Sequence, residues 1–227
     1  MNNPTLTKAL AWIVTLLTPV ALVLTAVRIL LTPAFPPFEY SMPGFPADPY
    51  GFTLEERLHW SYFAVEYLVN DAGIEYLGDL RFEDGTPVYN ERELKHMLDV
   101  KITVQGALRV WWLSLAALLG LGLWAWFGRW FDAYRRGLSR GGWLTAILIA
   151  GMLAFVVLSF GVIFVAFHNV FFAPGTWVFY YSDTLIRLFP ERFWRDIFIY
   201  VGAISAGLGL AIGYLARPKP AGADRAG

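Results

Sequence analysis

Cysteine is absent from this 227-residue chain, which removes disulfides, thiolate metal ligands, thiol nucleophiles and enzyme-bound thioesters, whatever the redox compartment. Charge is scarce as well. Asp, Glu, Lys and Arg make up 16% of the residues, against ~25% in an ordinary soluble domain. The 18 basic and 18 acidic side chains cancel, so no surplus exists for a polyanion and nucleic acid is not an expected partner. Internal repeats and low-complexity tracts are lacking too, apart from a polar tail over 218–227 that is expected to be flexible and cytoplasmic. What fills the chain instead is apolar: 57% of residues are hydrophobic and 17% aromatic. Water is not its main solvent.

Four stretches, about 9–31, 105–127, 143–167 and 197–216, are long and apolar enough to cross a ~30 Å hydrocarbon layer at ~1.5 Å per helical residue. The expected fold class is therefore an α-helical integral membrane protein with four transmembrane helices in one domain over 1–217. The first stretch reads as an uncleaved anchor, because its apolar run exceeds the ~7–15 residues of a signal-peptide core.

Orientation follows from the flanks. The N-terminal segment, the second connection and the tail together hold eight basic residues (Lys8, Arg129, Arg135, Arg136, Arg140, Arg217, Lys219 and Arg225) against Asp132 and Asp224. The first connection, 32–104, holds five basic against thirteen acidic residues, and the third, 168–196, holds three of each. Basic residues favour the cytoplasmic side, so both termini are expected there, with 32–104 and 168–196 outside. His59, His96 and His168, the three histidines, then lie in or at the start of outer segments. A site needing a group that titrates near neutral pH is expected at the outer face.

The first connection is too long for an idle loop and should fold into an extracytoplasmic cap. It opens with six prolines between Pro33 and Pro49 interleaved with aromatics, a rigid path suited to the headgroup layer. Thr53 with Glu56 forms a capping-box pattern ahead of an amphipathic helix to about Asn70. A hairpin or extended turn is expected around 74–87, where loose alternation precedes Glu83-Asp84-Gly85-Thr86-Pro87. Asn90 with Glu93 marks a second helix start, which can run unbroken into the second span. In the third connection, Ser182 or Asp183 can cap a short helix near 184–188 that Phe189-Pro190 ends. The fourth span carries Ser205, Gly209 and Gly213 at four-residue intervals, a stripe for close helix packing.

His168 sits where the third span reaches the interface, beside Asn169, a donor able to hold a substrate carbonyl or the ring. Position alone leaves open an interfacial histidine satisfied by a backbone carbonyl. His96 and Asp99, three apart on a helix, suit a base and an orienting carboxylate, although surface pairs at this spacing are common. Two imidazoles converging from different elements could share protons between a nucleophile and a leaving group; rings more than ~10 Å apart would rule that out. His59 reads as part of a solvated face, and Arg28 and Arg109 as side chains that snorkel to lipid phosphates or hold a lipid head group. His96, His168 and Asp99 are zinc- or copper-type ligands without HExxH-like spacing, so no metal is expected. Ser41, Ser61 and Ser182 lack a GxSxG setting, which leaves a serine acyl-enzyme without support.

The segment Glu93-Leu94-Lys95-His96-Met97-Leu98-Asp99-Val100-Lys101, the segment Phe167-His168-Asn169-Val170-Phe171-Phe172, then Trp177 and the run Asp183 to Phe193 closely resemble a family of four-span bacterial membrane proteins, the lipoprotein intramolecular transacylases, called Lit. The resemblance covers essentially the whole chain in span number, loop lengths and motif order. It implies an acyltransferase of the cytoplasmic membrane, active on its outer side, that moves the sn-2 acyl chain of a diacylated bacterial lipoprotein onto the α-amino group of the lipoprotein's N-terminal cysteine. His96 and His168 would be the catalytic pair, with Asp99, Asn169, Arg109, Trp177 and Asp183 as supporting or substrate-binding residues. No cofactor is implied; lipoproteins and membrane lipids are the partners. Val178-Phe179-Tyr180-Tyr181-Ser182 departs from the family pattern, where an acidic residue is expected near Tyr180 or Tyr181. A non-catalytic scaffold or lipid sensor and a lipid ester hydrolase are the competing readings.

Overall fold

The computed structural model describes residues 3–218; Lys219, Asp224, Arg225 and the tail beyond Pro218 lie outside the described residues. Those described form α1 (Pro4–Leu30), α2 (Phe35–Tyr40), α3 (Leu54–Val69), α4 (Glu75–Gly78), α5 (Glu91–Phe127), α6 (Phe131–Phe171), α7 (Thr184–Leu188) and α8 (Glu191–Leu215), with no strand among them. The helices α1, α5, α6 and α8 are long and apolar enough to cross a membrane. Their lipid-type surface is plain in residues such as Leu158, which is 80% exposed, and a water-soluble surface does not carry leucine this way in unbroken bands.

Local chemistry accounts for most helix starts. The Asn3 side-chain oxygen accepts from the N–H groups of Thr5 and Leu6 at the head of α1. Thr53 and Glu56 close the reciprocal capping box of α3. Asn90 and Glu93 exchange equivalent bonds at α5, 2.8 and 3.1 Å long. That helix then continues for 37 residues without a break.

Three elements differ from the sequence-based expectation. The proline-rich opening of the first connection bends into α2, because Pro36 and Pro37 occupy the first helical turn, where a missing N–H costs nothing. Within 74–87, Glu75–Gly78 is helical, and only a single antiparallel bridge, Arg81 to Pro87, remains of the hairpin, turning at Gly85 (φ +83°). The second connection shrinks to Gly128, Arg129 and Trp130, so that Arg135, Arg136 and Arg140 lie on the first turns of α6. Gly137, Gly141 and Gly142, which read as loop residues, are helical contact points instead.

The chain divides into two compact units. One comprises the described parts of Met1–Val27, Arg109–Ala154 and Tyr200–Gly227. Its core joins Leu10, Ala11 and Val14 to Ala125, Trp130, Ala133 and Tyr134. Small residues bring its helices together. A Cβ on Gly137 would lie 2.6 Å from the Ala11 carbonyl oxygen, and one on Gly142 would lie 2.5 Å from that of Gly209. The Ser139 hydroxyl donates to the Gly213 carbonyl at 2.7 Å, so the expected stripe on α8 has its partner on α6.

The other unit comprises Arg28–Leu108 and Phe155–Ile199 and contains α2, α3, α4 and α7. Tyr40 donates to the Leu188 carbonyl at 2.8 Å, and burial pushes its phenol up to about 12. Arg187 lies on the Phe52 ring and donates twice to one oxygen of Asp48. Burial alone would raise the Asp48 carboxyl, but these bonds and the Phe52 N–H hold it below its ordinary value. Lys101 runs beneath the Tyr67 ring to the Asn70 side chain and the Ala72 carbonyl, fastening α5 to the end of α3. Within this unit α6 departs from helical geometry at Ser159 (φ −152°, ψ 52°), nine residues before His168.

Candidate active site

Both motif histidines belong to the second unit, and each is 8% exposed. His96 stands one turn after the Asn90–Glu93 start of α5, and His168 on the last turn of α6. Their ring centres are 6.2 Å apart with planes inclined by 21°. That separation is below the ~10 Å beyond which the two rings could not share protons.

The nitrogens are not equivalent. His168 Nδ1 lies 2.8 Å from the Phe164 carbonyl oxygen one turn earlier. A carbonyl only accepts, so Nδ1 carries the hydrogen, and Nε2 is the nitrogen left with an open lone pair when the ring is uncharged. His96 Nδ1 is buried without a partner.

Aromatic rings close the surroundings. Phe172 and Phe179 meet His96 edge-on at 5.0 and 5.2 Å, and Phe164, Phe167, Phe172 and Trp177 surround His168 at 4.1, 5.6, 5.6 and 4.7 Å. Phe164 and Phe172 lie four residues either side of His168, a helical spacing from which their contact is readable; Phe179 and Trp177 arrive on a connection and carry no such signal. A cavity of about 220 Å³ in the same unit, lined by residues that include Pro46, Asp48, Tyr50, Arg57 and Arg187, has neither histidine in its wall.

What brings the elements together is a set of bonds between the third connection and the start of α5. Glu93 accepts from the Leu185 N–H at 2.7 Å, and Thr184 donates to the Val88 carbonyl at 2.6 Å. Asp183 accepts from Arg92 at 2.5 Å, from Asn90 at 3.1 Å and from the Tyr180 N–H at 2.8 Å. Arg92 in turn covers the rings of Phe179 and Tyr180. Asp183 therefore fixes the loop beside the histidines rather than touching either ring. Glu93 does the same work, although in the sequence it reads only as a helix-start signal.

The remaining candidates are placed elsewhere. Asp99 makes no side-chain hydrogen bond among the described residues, although its backbone carbonyl accepts from Thr103; the expected contact with His96 is not formed. Asn169 is exposed, because one further helical residue rotates it ~100° away from the face that carries His168. Arg109 is exposed and belongs to the first unit. His59 is exposed between Trp60 and Phe63, and Arg28 is exposed with its guanidinium 3.3 Å from the Leu31 carbonyl. Among the described residues no group of three or more His, Asp or Glu side chains is arranged to hold a metal ion.

Three comparisons with known proteins bear on the family and the fold. The family model for the lipoprotein intramolecular transacylase Lit matches residues 11–194. An uncharacterised protein of Aquifex aeolicus is 32% identical over 208 residues, covering 90% of this chain and 92% of that protein. The in meso structure of the membrane-integral lipoprotein intramolecular transacylase Lit from Bacillus cereus superposes with a TM-score of 0.77 at 18% identity, covering 94% of this chain and 95% of that one. A variant of the same Bacillus cereus protein, with one histidine replaced by arginine, superposes with a TM-score of 0.71 at 18% identity, covering 93% and 91%. At this identity the structural likeness shows a shared fold.

Proposed function

The chain belongs to the lipoprotein intramolecular transacylase family, and from that premise we propose that it transfers the sn-2 acyl chain of a diacylated lipoprotein to the α-amino group of the lipoprotein's N-terminal cysteine, at the outer side of the membrane. The observation that carries the mechanism is the near-parallel facing of His96 and His168, 6.2 Å between ring centres, in an aromatic enclosure.

The chemistry needs little else. An α-amino group with an ordinary pKa near 8 is not a nucleophile until its ammonium proton leaves, and the uncharged His96 ring can take it. Once neutral, its nitrogen attacks the ester carbonyl carbon; the N–C bond forms and the carbonyl pair moves onto oxygen. His168, whose ring is oriented by the Phe164 carbonyl, takes a proton from that nitrogen at Nε2, and His96 faces the departing glyceryl oxygen to supply one. The oxygen pair then returns, the C–O bond breaks, and the proton left on His168 passes to water, which restores the pair. Ester and amine become amide and alcohol, with no net change in the enzyme. Because both reacting groups belong to one substrate, holding them together supplies much of the rate.

A conservative test is His96→Asn and His168→Asn in membranes given a diacylated lipoprotein, followed by mass spectrometry of the lipoprotein N-termini. Each variant is expected to lose at least ~100-fold in lyso-form product, the scale of general acid–base catalysis. Wild-type yield from both variants would end the proposal. Release of free fatty acid in place of N-acylated product would identify a hydrolase.

A further inference from the structure

Among the described residues, five rings make contact with His168, and two of them carry a nitrogen: His96 and Trp177. The three phenylalanines bring no polar atom. Trp177 lies tilted by 38° on the His168 ring at 4.7 Å, and its Nε1 is buried with no hydrogen-bond partner. An indole N–H ordinarily finds an acceptor when it is buried, and leaving a donor without one in an apolar setting is unfavourable.

The local chain is built to deliver this ring. After α6 ends, a turn closes with the Thr176 N–H on the Ala173 carbonyl at 3.2 Å and the Thr176 hydroxyl on the same oxygen at 2.8 Å. Gly175 holds φ +81° there, a conformation that a residue with a Cβ adopts only under strain. The turn sends Trp177 back over the helix end that carries His168. Farther along, Phe179 lies against His96, and the Asp183 bonds to Arg92 and Asn90 fasten the loop to the head of α5.

Acyl transfer places one further demand on this enclosure. When the amine attacks, negative charge develops on the ester carbonyl oxygen, inside walls made almost wholly of carbon. Such charge needs a donor aimed at it, and the two imidazoles are already engaged with the attacking nitrogen and the departing oxygen. Asn169, the side chain that sequence reasoning puts forward for this duty, is exposed. Resting on the transacylase reading above, we infer that the Trp177 indole N–H donates a hydrogen bond to the ester carbonyl oxygen and stabilises the oxyanion of the tetrahedral intermediate. Indole suits the role because it is a donor only: it offers no lone pair for the ammonium and cannot divert the proton that the histidines move.

The test separates the N–H from the ring. Site-specific incorporation of 3-benzothienylalanine at position 177 keeps the bicyclic shape and replaces the N–H with sulfur; Trp177→Phe serves as the genetically simple companion. With a synthetic diacylated lipopeptide as substrate, both substitutions are expected to lower kcat by about 10²–10³, the cost of losing one oxyanion donor, with KM changed only a few-fold. A packing role alone predicts a loss for Trp177→Phe and none for the isostere. Wild-type kcat in the isostere therefore overturns the inference, provided that His168→Asn is inactive in the same assay. Should the His96→Asn and His168→Asn variants both turn over normally, the transacylase reading falls and this one with it.

Discussion

Glu93 is a carboxylate 1% exposed to solvent, one helical turn before His96, and its two oxygens accept from two different stretches of backbone. One bond closes the start of α5; the other holds the Leu185 N–H at the head of α7. A residue placed this way sets the direction in which α5 leaves its cap and the position of the loop that carries Trp177. Replacing it by alanine strands two buried N–H donors at about 1–3 kcal/mol each, so Glu93→Ala should unfold at a clearly lower temperature in detergent. Its turnover should also fall, because His96 and the third connection lose their common anchor. Glu93→Gln keeps one carbonyl oxygen and should lie between the wild type and alanine in both measurements. Equal melting temperatures for wild type and Glu93→Ala would show that the two bonds contribute nothing to the fold.

Among the elements, α6 has the most demanding neighbours. Gly142 lies on it where a methyl group would come within 2.5 Å of both the Gly209 oxygen and the Gly213 nitrogen, atoms that cannot swing aside as a side chain can. Gly151, on the same helix, has nothing within 4 Å of the place a methyl group would take. Gly142→Ala should therefore destabilise the protein by about 1–3 kcal/mol or more through overpacking, whereas Gly151→Ala should be neutral or slightly stabilising through helix propensity. Thermal unfolding of the two variants side by side checks this; equal stability would mean that the α6–α8 approach is looser than the backbone distances state. The same helix shows what a sequence can and cannot convey. Capping pairs such as Thr53 with Glu56 are legible because both partners lie within one turn, and the four spans because burial in hydrocarbon needs only length and composition. The glycines of 137–142 read as a loop, since close approach to another helix is invisible without that helix. Asp99 is three residues from His96 on paper, yet spacing sets only the face, not the rotamer, and the bond does not form. The two histidines are legible as candidates by type and motif. Phe179 and Trp177 reach them through a turn whose geometry depends on Gly175 and on the ties of Asp183 to Asn90 and Arg92, far earlier in the chain.

For the molecule as a whole, the segregation of charge carries a claim about which side of the membrane holds the site. Eight basic residues against two acidic ones flank one set of helix ends, while the segment 32–104 holds thirteen acidic against five basic. With basic flanks retained inside, His96 and His168 are expected to face the exterior, the side on which the proposed reaction meets the lipoprotein amino terminus. The absence of cysteine makes this directly measurable, because a single introduced thiol has no native competitor. Glu83 lies in the exposed turn of the long connection, and Asp132 is exposed near the start of α6. In intact cells a membrane-impermeant maleimide should label Glu83→Cys and leave Asp132→Cys unmodified until the membrane is opened. The reverse pattern would put the imidazole pair on the cytoplasmic side, away from mature lipoproteins, and would remove the substrate from reach of the site even if both rings proved essential.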